Sequence, residues 1–399
     1  MLIFNPTMDV EALKKSLVGR LVPISGNDAR WGPFSYSAFV PNPLPPTMPL
    51  TESTASAVID AAIALGRLTM ATERIPNPTL LVRPALRKEA QSTSALEGTY
   101  APFTDVLEGE IVELDRVTAE TREVLNYVRA AEEAVRRLQD RPISMNMLAD
   151  LQATLVRGTR GETYDMGELR RRQVLIGPQG EPIHQARFVP TPPGDELVQG
   201  VSAWERWIHE ENETHLLVKV ALAHYQFETL HPFADGNGRL GRLVMTMQLI
   251  EAGMLPYPLL NLSEWLEPRR DEYQDRLLRT SVSGNFDAWV AFMAACIEAQ
   301  ATAAIDRIGR LLLVRDSLIE TVLSAGSRRG GATYRIAEEL VGYPIIDVPS
   351  TAARQGVSYQ SANEAIKRLV SLGVLREIRR SGKTRKIFLA PQVLDALEQ

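Results

Sequence analysis

The stretch His231-Pro232-Phe233-Ala234-Asp235-Gly236-Asn237-Gly238-Arg239-Leu240-Gly241-Arg242 decides how the rest of this 399-residue chain is read. It contains the parts of a phosphate site. His231 ends a strongly periodic helical run, and Pro232 disfavours α geometry at the residue before it, so the helix stops there. Gly236, Asn237 and Gly238 tolerate positive φ and make a tight turn. A second helix opens beyond them, with Leu240, Val244, Met247 and Ile250 as its apolar run. The free N–H groups at its start, together with the helix dipole, favour an anion. Arg239 and Arg242 are three apart and project from one face of the first turn. Asp235 is a hard oxygen donor of the kind Mg²⁺ takes beside phosphates. His231 is the only base in the stretch that titrates near neutral pH. A glycine turn between two core helices would use the same residue types, with a satisfied histidine and two solvated arginines.

Working outward, His231, Phe233, Asp235, Gly236, Asn237, Gly238, Arg239 and Arg242 match the pattern HxFx(D/E)GNGRxxR at every defining position. On those residues the chain resembles the Fic (Fic/Doc) family. The resemblance implies a mainly α fold: a Fic helical core with a small β-hairpin flap. It implies transfer of AMP from ATP to a Ser, Thr or Tyr hydroxyl of a target protein, with release of pyrophosphate. His231 would then take the hydroxyl proton. Gly236, Asn237 and Gly238 would offer backbone N–H groups and an amide to phosphate oxygens. Arg239 and Arg242 would grip the β- and γ-phosphates, and Asp235 would hold Mg²⁺. Phe233 faces inward and anchors the loop.

Two upstream segments take their meaning from that resemblance. Thr93-Ser94-Ala95-Leu96-Glu97-Gly98 matches the (S/T)xxxE(G/N) inhibitory motif of Fic proteins, which makes Glu97 the residue that salt-bridges Arg242. Without the motif downstream, Glu97 would read as a solvated residue beside a glycine cap. Val174-Leu175-Ile176 and Ala186 to Pro190 are short β-prone runs around the turn Gly177-Pro178-Gln179-Gly180. They resemble the flap that pairs with a target segment through main-chain hydrogen bonds. Two alternatives stay open: an enzyme that also removes AMP, with Glu97 orienting water, and a nucleotide-sensing winged-helix regulator. The intact His231 speaks against the second, because binding alone needs no base.

The rest of the chain sets the frame. Net charge is −5, so the chain as a whole is no polycation built to coat nucleic acid or membrane. Cys296 is the single cysteine, which excludes a disulfide framework within one chain and fits a reducing, cytoplasmic setting. It lies in an apolar run and reads as core. We expect no signal peptide, no apolar run long enough to span a bilayer and no membrane partner. Self-modification and a homodimer are compatible with the reading. Residues 1–50, rich in proline, read as an extended arm over the core. Thr51 caps a helix with Val58, Ile59, Ala62 and Leu65 on one side. A further helix runs from about Pro84 to Leu96 and stops at Gly98. Stripes of Val106, Leu107, Ile111 and Leu114, then Val124, Val128, Ala131 and Val135, are core packing. Ser144 caps the helix carrying Leu148, Leu151 and Leu155. Trp204 and Trp207 read as core, and His224, with no third ligand nearby, as structural rather than metal-binding. Phe286 to Leu313 is one long helix.

The C-terminal part changes character. A helix at Val348 to Gln355, a turn at Gly356, a helix capped by Ser358, and two strands around the basic turn Arg379 to Arg385 read as a winged helix-turn-helix. Its helix carries Glu364 as well as Lys367 and Arg368, so DNA contact and protein docking or dimerisation stand side by side. The expected units are 1–102 (N-terminal helical region with the inhibitory helix), 103–310 (Fic catalytic core) and 311–399 (winged helix-turn-helix domain).

Overall fold

The computed structural model describes residues 7–73, 75, 77–111, 117–178, 180–378 and 386–398. The N-terminal fifty residues correct the extended-arm expectation. A short helix α1 (Val10–Leu13) leads into two ten-residue strands, β1 (Gly19–Asp28) and β2 (Gly32–Pro41). They pair antiparallel from Gly19–Pro41 to Asp28–Gly32. The Asp28 carboxylate accepts from the N–H groups of Arg30 and Trp31, and Gly32 takes φ +80°, which closes the turn. Prolines crowd the chain only after Val40. Pro23 and Pro33 are tolerated because a two-stranded ribbon has only edge strands.

Helices follow. In α2 (Glu52–Glu73), Thr51 Oγ1 accepts from Thr54 N at 3.3 Å, as a cap should. The buried stripe is Thr54, Val58, Ala61, Leu65 and Leu68; of the expected face Val58 and Leu65 are buried, Ala62 packs half-buried on the core, and Ile59 alone is exposed. The next helix, α3 (Thr79–Leu96), starts before Pro84 and takes that proline in its second turn, where a single backbone bond is lost. It ends as a Schellman motif: Gly98 at φ +84°, Gly98 N donating to Ala95 O, and Thr99 N donating to Ser94 O. Then come α4 (Phe103–Gly109), α5 (Ala119–Arg137) and α6 (Met145–Val156), the last capped by Ser144 Oγ. Leu114 of the expected stripe lies outside the described residues. After the flap segment come α7 (Asp195–His209), α8 (Leu216–Leu230), α9 (Asn237–Glu251), α10 (Leu262–Leu266), α11 (Arg270–Ser283) and α12 (Phe286–Ser324).

One apolar core runs through these helices, holding Trp204, Trp207, Trp289, Phe233 and Cys296. Fully burying such side chains is worth about 1.5–3 kcal/mol each. Thirteen of the fifteen residues of α8 are buried, so the helix that delivers His231 is a rigid core element. A second, smaller core of Met8, Leu13, Phe39, Phe188, Val189 and Leu278 fastens the N-terminal ribbon to the flap segment. The flap itself differs from the expected pair of strands. It is reduced to one antiparallel bridge, Ile176–Phe188. A 3-10 turn at Ile183–Gln185 shortens the returning run, which also spends hydrogen bonds on the N-terminal segment: Met8 N donates to Ala186 O and Phe39 N to Val189 O.

By length and hydropathy α2 and α12 could each cross a bilayer, which corrects the expectation that no apolar run is long enough. In this fold they pack against each other. Residues 310 and 311, where the last two units were divided, both lie inside α12. Beyond it, α13 (Ala332–Glu339), β3 (Ile345–Asp347), α14 (Val348–Gln355), α15 (Tyr359–Ser371), β4 (Arg376–Ile378), β5 (Ile387–Leu389) and α16 (Pro391–Glu398) complete the chain. The sheet order is β3-β5-β4, antiparallel, and Gly356 turns the chain between α14 and α15 at φ +63°. The basic turn Arg379 to Arg385 lies outside the described residues.

Candidate active site

His231 closes α8 in the left-handed conformation, φ 52° and ψ 62°, the one non-glycine residue with positive φ among the described residues. That geometry costs about 1–3 kcal/mol. It turns the imidazole into a cleft shared with Glu97, Ile176, Phe188, Arg242 and Tyr273. Nδ1 lies 3.3 Å from the Glu228 carbonyl oxygen. A proton on Nδ1 is donated there, which leaves the Nε2 lone pair free. Burial, with the nearby Arg170 charge, lowers the imidazole pKa to about 4, against smaller opposing effects of the Glu228 carbonyl, Glu97 and Asp235. His231 is therefore neutral at pH 7.

The turn after His231 is built by its own residues. Gly236 takes φ +83°. Asn237 is buried and spends its amide on the loop: its Oδ1 accepts from Phe233 N at 2.9 Å and its Nδ2 donates to Phe233 O at 2.8 Å. These two bonds fix the shape of the loop around Phe233. Phe233 is fully buried, as expected. The first turn of α9 has no side-chain cap, and Gly238 of that turn and Arg242 line the cleft.

That helix start has a carboxylate against it. A Cβ on Gly238 would overlap Glu97 Oε1, so only glycine lets Glu97 lie against the α9 start. Arg242, 2% exposed, donates from Nη2 to Glu97 Oε1 at 2.7 Å, and from Nε and Nη2 to the Thr93 hydroxyl and carbonyl at 2.8 and 3.1 Å. Burial alone would raise the Glu97 pKa, but the charge and hydrogen bond of Arg242 outweigh it and hold the carboxyl below its usual value. Thus the two residues that stand 145 positions apart in sequence are brought together, and the Schellman end of α3 places the carboxylate.

Arg239 is held as firmly. It donates to Glu123 Oε1 at 2.7 Å and to Asp235 Oδ1 at 2.8 Å, with its side chain 3% exposed. Glu123 also accepts from Thr99 Oγ1, just beyond the end of α3. The Asp235 side chain is 40% exposed. Gly161 packs so closely on it that a Cβ there would come 2.6 Å from Asp235 Oδ2. One carboxylate with solvent access fits Mg²⁺, which takes one or two protein carboxylates and completes its shell with water and substrate oxygens. Among the described residues there is no cluster of three or more His, Cys, Asp or Glu that could hold a metal ion by itself.

Behind the cleft, His224 Nε2 sits 2.8 Å from Tyr273 Oη, fully buried, and burial lowers its pKa to about 3. It is structural, as read. Glu228 lines the cleft with a pKa raised by burial to about 8. Val174 and Leu175 lie on the open side of the flap bridge, and Ile176 forms the bridge and lines the cleft. Sequence reasoning missed Glu123, Glu228 and Tyr273 as parts of the site. A glutamate on an otherwise apolar helix face, as Glu123 is beside Val124 and Tyr127, was the available signal.

The Fic/DOC family N-terminal profile matches residues 55–136, and the Fic/DOC family profile matches residues 142–249. The protein named "Protein adenylyltransferase Fic" of Drosophila yakuba is 34% identical over 164 residues, covering 41% of this chain and 30% of the relative. The protein of the same name in Drosophila melanogaster is 33% identical over the same length and shares. The matched region thus spans under a third of the length of these relatives. A crystal structure of a Fic family protein from Desulfovibrio desulfuricans G20, 21% identical, covers 87% of this chain and 98% of its own, with a TM-score of 0.54, and shares the fold. With the twelve-residue loop intact inside the second match, residues 55–136 and 142–249 carry the two regions of the Fic/DOC family.

Proposed function

We propose that the protein transfers AMP from ATP to a hydroxyl side chain of a target protein, and that Glu97 holds the enzyme in check. The observation that carries this reading is the meeting of three groups in one cleft. They are a neutral His231, the N-terminus of α9, and a Glu97 carboxylate seated where an anion would go. In the reaction, His231 Nε2 takes the hydroxyl proton as the oxygen attacks the α-phosphorus. A new O–P bond forms, the bond from the α-phosphorus to the bridging oxygen breaks, and pyrophosphate leaves. The N–H groups and dipole at the start of α9 stabilise the phosphate charge. Arg242, once free of Glu97, grips the terminal phosphate with a planar fork. Asp235 is the residue that would hold Mg²⁺, which when bound offsets charge on the phosphates. The exposed Leu175 edge of the flap would receive an extended target segment.

A second reading, removal of AMP, rests on one observation: Glu97 faces the same cleft as His231 and could orient water there. The test for both is intact-mass measurement after incubation with ATP and Mg²⁺, on wild type, Glu97→Gly and His231→Ala. Gain of AMP on the Glu97→Gly protein or on lysate proteins, lost in His231→Ala, supports transfer. Equal gain in His231→Ala, or none in any variant, overturns it.

A further inference from the structure

Arg170 stands between α6 and the flap and is 2% exposed. Every hydrogen bond of its guanidinium goes to a main-chain carbonyl. Nε donates to His231 O at 2.7 Å, Nη2 to Leu230 O at 3.2 Å and also to Thr191 O, and Nη1 to Arg172 O at 3.2 Å. Its own N–H donates to Pro232 O at 3.0 Å. No ion-pair partner for it is found among the described residues, and burial alone lowers its pKa, to about 10. A buried, unpaired cation is costly, and a core of this size could fill the space with an apolar side chain at less expense.

The carbonyls it collects explain its presence. Leu230 and His231 carry the last carbonyls of α8, which have no partner within the helix. A cation at a helix C-terminus is also favoured by the dipole. The alternative conformation for a residue before proline is extended, and that would swing the His231 imidazole away from the cleft. Arg172 and Thr191 are the two roots of the flap, one on each side of the Ile176–Phe188 bridge. We propose that Arg170 is a positioning residue, locking His231 in its left-handed conformation and tying both roots of the flap to the base.

The charge has a second effect. Groups facing His231 come from every surrounding element: Glu97 from α3, Glu228 from α8, Asp235 from the loop, Arg242 from α9, Tyr273 from α11, and Arg187 from the flap. Arg170 is the cation that disfavours the protonated imidazole most directly, after burial. Removing it moves the His231 pKa upward, toward its ordinary value. The kinetic part of this inference rests on the transferase reading; the conformational part does not.

The experiment uses the full chain in the Glu97→Gly background, comparing Arg170→Gln, which keeps amide donors without charge, with Arg170→Lys, which keeps charge without the fork. Imidazole signals from histidine-labelled protein are titrated by NMR, with His231→Ala assigning the His231 signal. The expected result for Arg170→Gln is a His231 pKa higher by about one unit or more. Its kcat should fall roughly a hundredfold while KM for ATP stays within about twofold. Arg170→Lys should keep the low pKa and recover only part of kcat. A His231 titration and kcat unchanged in both variants overturn the proposal. So does a loss that appears only as raised KM. Should Arg170→Gln fail to fold, Arg170→Lys decides: unchanged kcat rejects the fork's role. If no variant or parent transfers AMP, the NMR titration still judges Arg170 while the transferase reading fails by itself.

Discussion

Replacing Glu97 with glycine should raise the initial rate of AMP transfer by between about tenfold and about a hundredfold. Arg242 is held by Glu97 and by the Thr93 hydroxyl and carbonyl, so the substitution removes the ionic contact and leaves two neutral ones. The pair is unequally exposed, 2% for Arg242 and 38% for Glu97. Its attraction therefore falls between an exposed pair, about 0–1 kcal/mol, and a buried one, about 3–5 kcal/mol. Discounted for solvent, about 1–2 kcal/mol is reasonable, which releases Arg242 toward a phosphate by roughly tenfold. Glu97 Oε1 also lies against Gly238, where a phosphate oxygen would approach the α9 N–H groups. Misplacing the α-phosphorus by about 1 Å costs about a hundredfold in rate, and the glycine variant removes that obstacle. Glu97→Gln keeps the bulk and loses the charge, so it should fall between wild type and Glu97→Gly. KM for ATP should change far less than kcat in both. The assay is initial-rate incorporation from α-labelled ATP into the protein itself and into a lysate. A glycine variant no faster than wild type would refute the argument and return Glu97 to the role of a helix-end residue. Any AMP-removing activity should vanish in the same variant.

Other outcomes follow from the same geometry. His231→Ala should abolish transfer while ATP binding, read by calorimetry, stays within a few-fold, since the base acts only as the bond forms. Because the imidazole pKa is about 4 in the free protein, a loss of kcat/KM through His231 protonation should appear only as pH falls below about 5, and not near 6.5; a kcat/KM limb at 6.5 assigned to His231 would contradict the buried site. The same depression makes stability from neutral His231 and His224 decline as pH falls from 6.5 toward 4 and 3, measurable as a falling thermal midpoint. Asp235→Ala should shift the Mg²⁺ dependence of transfer to higher concentration, and an unchanged Mg²⁺ titration would reject the ligand role. For the C-terminal unit, Arg368 donates to Ser327 Oγ and Ala325 O at the end of α12, which leaves Lys367 and the turn with Arg379, Arg380 and Lys383 for a DNA reading. If that reading holds, affinity should fall steeply with salt and reversing those charges should weaken all sequences alike; no mobility shift at low salt decides for protein docking.

The sequence by itself determined the loop. Twelve consecutive residues hold His231, the turn, the helix start and both arginines, because a turn and the helix N-terminus it opens are local and their parts must be neighbours in the chain. Helix ends were legible for the same reason: Thr51, Ser144, Gly98 and Ser358 satisfy orphan backbone groups within a few residues. What the tertiary structure decided is long-range. The contact of Glu97 with Arg242 needs α3 laid beside α9, and Glu123 on Arg239 needs α5 on the same side. The flap lost its expected strands because its returning run bonds to the N-terminal ribbon, a competitor far away in sequence. Asn237 was read as a phosphate ligand because its type suits one, and only the fold shows that its amide also ties the loop together through Phe233. Arg170 carries no local signal at all. Its meaning comes from four carbonyls contributed by three separate stretches of chain, and a sequence does not display which carbonyls a fold leaves unpaired.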